Sequence, residues 1–206
     1  MSETPNKPGR GRPKTLDKAN VTEVAMHAYW EDGPTEVSLN AICHRAGVSK
    51  PSVYRAFGND DGLTHAALES YADEVLGKVL SITAGDDNFF SKIRQIAHLS
   101  AEDALHTHGC LFVKMRAAKA QMGPQTQELI AQIESIALEA FKTVLTEARA
   151  SGEWPGEISV QLGAQYLHSQ IGLALDQRAR GEDPKETLAL ALSVFTNPAV
   201  PSGGAD

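Results

Sequence analysis

Cysteine is nearly absent: the 206 residues hold two, Cys43 and Cys110, which lack the spacing of a metal-ligand pair. A disulfide framework and a zinc module are thereby excluded as organising devices, and both thiols are expected to be reduced. No run approaches the eighteen or so consecutive apolar residues of a membrane span, and the N-terminus is polar and basic rather than signal-like, so the expected location is cytoplasmic with no membrane partner. Strand-like alternation is missing as well. So are a glycine-rich phosphate loop, a nucleophile elbow and paired carboxylates in a recognisable setting. His106 and His108 lack a third ligand. No cofactor, metal or catalytic residue is therefore expected, and nothing argues for an enzyme. Positive charge is in overall deficit, with 19 Lys and Arg against 26 Asp and Glu, a net charge of −7.

What is present is a helical pattern with 42% hydrophobic and 22% charged residues, ordinary for a folded chain. Between Ser38 and Phe57 it becomes specific. Leu39, Ile42 and Ala46 recur at three- and four-residue steps behind a capping Ser38, which predicts a short helix. Gly47 follows where a helix commonly ends in left-handed backbone, and Val48 can tuck into the angle that results. Ser49 offers a second N-cap, Pro51 falls in a first turn where its missing N–H costs nothing, and Val53 and Phe57 share the inner face of a second helix. Cys43 sits where the two helices should cross, so a small buried residue suits it.

This is the pattern of a helix-turn-helix, in which the first helix crosses the phosphate backbone and the second enters the major groove. Lys50, Ser52 and Arg55 take the outward face, where Lys and Arg can donate to guanine or phosphate. Tyr54 is placed to reach a phosphate, and Ser38, Arg45, Ser49 and Pro51 complete the expected DNA-facing set. The charge deficit is unevenly spread. Residues 1–58 hold eight Lys and Arg against six Asp and Glu, which is +2 and leaves −9 for the remainder. Attraction for phosphates is thus concentrated at one end, and affinity for DNA should fall with salt. Ahead of the helices, Arg10-Gly11-Arg12-Pro13 with Lys14 resembles an AT-hook core, suited to a narrow minor groove. A solubilising tail is the alternative reading of the same residues.

The segment from about Leu16 to Leu63 resembles the N-terminal domain of the TetR/AcrR family of transcriptional regulators, on Ile42, Ala46-Gly47-Val48-Ser49, Tyr54 and Phe57. Two departures accompany it: Pro51 stands where the family often has Gly, and Asp60 stands in place of a Lys that follows the Phe. The resemblance implies a ligand-responsive regulator, most simply a repressor released from a palindromic double-stranded operator by a small-molecule effector. An activator, or a helical protein-interaction module without DNA binding, are the alternatives.

The expected fold is all-α, with a three-helix DNA-binding domain followed by a helical domain for effector binding and dimerisation. The expected divisions are 1–14 as a flexible basic arm, 15–60 as the DNA-binding domain, 61–198 as the effector and dimer domain, and 199–206 as a tail. Helices are expected from about 16 to 30, through the two just described, and from 59 to 80, the last as a mechanical link between the halves. Later ones are expected near 88–104, 106–119, 125–151, 159–181 and 184–196, separated at glycines and prolines.

By the same resemblance the last two long helices build a homodimer interface, and Gly163, Leu167, Ile171, Leu175, Leu188 and Leu192 are the expected contacts. Two recognition helices would then read half-sites about 34 to 36 Å apart. An effector pocket among the middle helices is expected to use His98, Cys110, Phe112, Met115, Trp154, Tyr166 and Gln170, a set suited to an apolar or aromatic molecule. The alternative for each is ordinary core. Gly109-Cys110-Leu111-Phe112 resembles a Gly-Cys-Leu signature of some of these regulators, which makes Cys110 the candidate for redox or electrophile sensing.

Overall fold

The helices follow from local signals, and their ends show which ones. The structure is a computed structural model that describes residues 16–102, 108–154, 156 and 158–196. Helix α1 (Lys18–Asp32) begins where the Asp17 carboxylate accepts from Asn20 N at 3.1 Å. Helix α2 (Leu39–Ala46) begins where Ser38 Oγ accepts from Ala41 N at 3.2 Å, and it ends at Gly47, whose φ of 65° permits Val48 N to donate back to Cys43 O. Helix α3 (Lys50–Phe57) carries Pro51 in its first turn. The Ser49 side chain does not cap it. Its hydroxyl instead pairs with Ser52 Oγ at 2.8 Å, so the second expected cap is a hydroxyl pair on the outer surface.

Helix α4 (Asp60–Ala84) is 25 residues long, capped by Asn59, and runs one turn beyond its expected end. Helices α5 (Phe89–Glu102), α6 (Leu111–Ala117), α7 (Pro124–Ser151), α8 (Val160–Ala179) and α9 (Lys185–Thr196) complete the described residues, among which there is no strand. Helix α6 is shorter than the expected 106–119. Residues 108–110 are not helical, and a Cβ at Gly109 would lie 2.6 Å from Ala179 Cβ, because this turn docks closely against the end of α8. A 3-10 turn at Lys119–Gln121 takes the place of the expected last helical residues.

Two cores hold these elements. The first joins Val21, Ala25, Ile42, Val53 and Leu63 to Leu111, Met115 and Ile130, so α1 to α4 share one apolar interior with α6 and α7. The second packs Phe89, Phe141, Leu145, Trp154, Leu167 and Phe195 between α5, α7, α8 and α9. Burial at this scale, about 1.5 to 3 kcal/mol for each large apolar side chain, is what sets the helices against one another. Helix α4 contributes to the first core and also flanks the second through Val79 and Ile82.

Candidate nucleic-acid interface and internal cavity

The outward face of α3 is set by what its inner face must do. Val53 is fully buried, and Phe57 is half-buried against the first core beneath the Lys18 ammonium, which lies 5.1 Å from the ring. With those two fixed, Lys50, Pro51, Tyr54 and Arg55 face outward and are exposed, while Ser52 is half-buried. Lys50 Nζ lies 5.3 Å from the centre of the Tyr54 ring, and the adjoining phenol pushes the Lys50 pKa upward. Arg55 has no ion-pair partner among the described residues, whereas Arg45 donates to Asp32 Oδ2 at 2.6 Å. Of the expected cations, Lys50 and Arg55 are thus uncommitted to a carboxylate, and Arg45 is already neutralised by the end of α1. Arg10, Arg12 and Lys14 lie outside the described residues, as does His106.

A cavity of about 100 Å³ lies deeper, walled by α4, α5, α6, α7 and α8. Cys110, Phe112, Ile171 and Leu175 line it, together with Tyr71, which sequence reasoning missed because a tyrosine in a helical apolar series reads as core. The other expected wall residues are elsewhere. Met115 is fully buried in the first core. The His98 side chain is 71% exposed and pairs with Glu102 at 3.4 Å, since the inner face of α5 is already taken by Ile93, Ile96 and Ala97. Trp154 is locked in the second core, with ring centres 6.3 Å from Phe89 and 5.6 Å from Phe195. Tyr166 packs toward Phe195, 6.1 Å away, and Gln170 is absent from the cavity wall.

Among the described residues the cavity wall has a single charged side chain, Arg116. The Arg116 guanidinium lies 5.6 Å from the centre of the Phe112 ring, 3.4 Å from His168 Nδ1 and 3.6 Å from Glu134 Oε1. Burial, then the neighbouring Arg116, lowers the His168 pKa, so that imidazole is neutral near pH 7. Burial pushes the Cys110 thiol up, away from the thiolate that redox sensing needs. Tyr71 is likewise pushed up by burial and then by the neighbouring Cys110, although its hydroxyl makes no hydrogen bond of ordinary geometry among the described residues. No group of three or more metal-ligating side chains is found among those residues, and no helix there is long and apolar enough to cross a membrane.

Two connections between the cavity wall and the N-terminal helices had no local sequence signal. Trp30 Nε1 donates to Gly109 O at 2.8 Å, and Lys114 Nζ donates to Trp30 O at 2.5 Å, so α6 and the turn before it are tied to the end of α1. The Asp61 carboxylate accepts from Gln125 N, Thr126 N and Thr126 Oγ1 at 2.9, 3.1 and 2.7 Å. Asp61 therefore caps α7 from the second residue of α4, where a first-turn acidic residue would ordinarily serve its own helix.

The residues expected at the dimer interface are mostly spent inside the chain. Leu167, Leu175 and Leu188 are buried, and Ile171 and Leu192 are half-buried against the cores. A Cβ at Gly163 would meet Leu145 Cδ1 at 3.0 Å, so this glycine admits α7 rather than another molecule. What α8 and α9 expose instead is Leu162, Leu173, Leu190 and Val194, at 53, 44, 69 and 44%. Leu162 and Leu173 are three helical turns apart, and Leu190 and Val194 one turn apart, so each pair lies along one face of its helix.

A capped helix, a left-handed glycine turn and a second helix with exposed cations, set on a larger helical body, define a helix-turn-helix protein. The family model for bacterial regulatory proteins of the tetR family matches residues 21–67, which run from α1 into α4. It is 35% identical over 72 residues to the HTH-type transcriptional repressor ComR of Escherichia coli (strain K12). That match covers 35% of this chain and 34% of ComR, so the chain spans about a third of this relative's length. The fold is also that of E. coli NemR in its reduced form, with a TM-score of 0.73 at 18% identity, covering 89% of this chain and 99% of NemR. A cysteine mutant of the TetR family regulator CifR, solved with a 26 bp double-strand operator DNA, has a TM-score of 0.74 at 19% identity, covering 92% of this chain and all of that one.

Proposed function

We propose that the chain is a DNA-binding transcriptional repressor, active as a homodimer on a palindromic double-stranded operator and released by a small-molecule effector held in the cavity between α4 and α8. The observation that carries this reading is the exposed face of α3, where Lys50 and Arg55 stand free of carboxylates on a helix braced from behind by α2 and α4. Ser38, Ser49, Ser52 and Tyr54 supply neutral hydroxyls around them. Arg45 must exchange Asp32 for phosphate when DNA binds. Arg10, Arg12 and Lys14 precede this unit and are assigned to the minor groove. The likeness to a regulator solved with operator DNA supports the same face.

The test is selection of duplexes from a randomised pool, followed by titration against salt. A palindromic site whose affinity falls steeply with salt is expected. Arg55→Ala should lower affinity by about 1 to 3 kcal/mol and relax the preference at its base. An unchanged operator affinity overturns the assignment of α3, and salt-insensitive capture of protein with no DNA binding favours the interaction-module alternative.

For the dimer, the exposed Leu162, Leu173, Leu190 and Val194 replace the set expected from sequence. A second copy of the chain, packing α8 and α9 against their equivalents, is the occupant that the family fold supports. Leu190→Arg is expected to shift the chain to monomer in sedimentation at micromolar concentration and to weaken operator binding, with the melting of the monomer little altered. A variant that stays dimeric would move the interface elsewhere.

Release works through the connections described above. Helix α6 forms a cavity wall and holds Trp30, while α7 forms another wall and is capped by Asp61 beside the recognition helix. An effector that fits one arrangement of α6 and α7 better than another shifts both N-terminal attachments together, and with them the spacing of the two recognition helices.

A further inference from the structure

We propose that the effector is a small carboxylic acid with a compact apolar body, its carboxylate received by Arg116 and its body enclosed by the α4, α6, α7 and α8 walls. The proposal rests on the reading of this cavity as an effector site and adds the chemical class of its occupant.

Three features of the wall lead there. First, it is almost wholly apolar, with Val75, Leu76, Ile96, Phe112, Ile133 and Phe141 around a space of about 100 Å³. A cavity of about 150 Å³ with such a lining takes one benzene ring, so the smaller space here excludes a multi-ring body and suits a short branched chain, or a single ring where the walls yield. Second, among the described residues the wall holds one cation and no carboxylate. Burying an anion is unfavourable unless a partner meets it, and a guanidinium meets a carboxylate with two parallel N–H donors. A neutral ligand would gain a hydrogen bond from Arg116 but no ion pair, and a cation would be repelled by it.

Third, the Arg116 donors are not used up. Glu134 Oε1 is 3.6 Å away, beyond hydrogen-bond reach, and the His168 contact is long at 3.4 Å. The guanidinium is nevertheless held in place. It lies over the Phe112 ring, and a Cβ at residue 172 would come within 3.2 Å of Arg116 Nη2, so Gly172 leaves the room it occupies. A second polar group lines the same space: the Tyr71 hydroxyl, on a side chain only 2% exposed, makes no hydrogen bond of ordinary geometry among the described residues and has the Cys110 thiol and the Leu111 backbone as its polar neighbours. A charged fork and a neutral hydroxyl, on a wall whose other polar side chains are His168 and a Ser100 already bonded to Ile96 O, match the two oxygens of an acid better than any uncharged head.

The test is calorimetric titration of the full chain, without DNA, with benzoate and isovalerate and with benzamide as the uncharged counterpart of benzoate. Saturable binding of at least one acid below about 1 mM is expected, with benzamide at least ten-fold weaker. Arg116→Gln should weaken the acid at least ten-fold and leave the weak benzamide binding unchanged, which separates loss of the charge from loss of the fold. Equal binding of benzoate and benzamide, or no saturation by either acid at ten times that concentration with a folded chain, overturns the proposal. Operator titration is run in parallel. Arg116-dependent acid binding without any operator binding leaves the ligand class standing and removes the regulator reading, while operator binding with no acid binding does the reverse.

Discussion

Trp154→Ala is expected to destabilise the chain by about 3 to 5 kcal/mol, lowering its melting temperature by roughly 6 to 20 °C at fixed protein concentration. The indole is 2% exposed, lies between Phe89 and Phe195, and is covered by the Arg149 guanidinium 4.8 Å from its centre. Gly156 closes the remaining side: a Cβ there would fall 2.3 Å from the indole Nε1. With backbone packed on one edge and rings on its faces, the site cannot collapse to fill the void that truncation leaves. Trp154→Phe, which keeps a ring between the two phenylalanines, should lose distinctly less. If Trp154 were an effector contact, the alanine variant would instead melt near the parent and fail only in effector response. Thermal denaturation with and without effector separates the two.

The second large effect is expected at Asp61. Its carboxylate accepts three hydrogen bonds from the first turn of α7, two of them from Thr126, which is fully buried. Asp61→Ala leaves those donors without their acceptor and should cost about 2 to 3 kcal/mol. Asp61→Asn should fall between, because one oxygen can still accept from Thr126 while Gln125 N loses its partner. Denaturant titration reads the loss. If α7 is one of the two attachments that carry effector binding to the recognition helix, the asparagine variant, still folded, should also bind operator with a smaller effector response. A parent-like response with reduced stability would confine Asp61 to a structural role.

How far each feature was legible in sequence follows from how local its cause is. Ser38, Gly47 and Val48 act within one turn of themselves, and each does in the structure what its spacing predicted. Ser49 shows the limit of even that rule, since the same hydroxyl that could cap α3 had a second partner, Ser52, three residues on. The cavity was legible only in part. Cys110 and Phe112 reach it, but His98, Trp154, Tyr166 and Gln170 do not, because an aromatic or polar side chain on a helix gives no sign of which of several neighbours it will face. Part of the dimer set is buried within the chain for a related reason. Helix α8 is apolar or small around much of its circumference, and periodicity marks the face that is buried without saying whether the same chain or another buries it. Leu167 and Leu175 belong to the first case, and Leu162 and Leu173 are assigned to the second. Asp61 had no signal at all, since its partners lie more than sixty residues away.

The hydrogen bonds between Trp30 and the segment around α6, and the single core running from Val21 to Ile130, have a practical consequence for modular engineering. A hybrid made by grafting a relative's first sixty residues onto this body would keep the Gly109 carbonyl and Lys114 but lose the indole that joins them to α1 wherever the relative has no tryptophan at position 30. Specificity is better transferred by exchanging only the outward residues of α3 than by exchanging the domain. Where a whole domain must be exchanged, the incoming segment has to keep Trp30 for residues 109 and 114, and the seam has to leave residue 61 with α7.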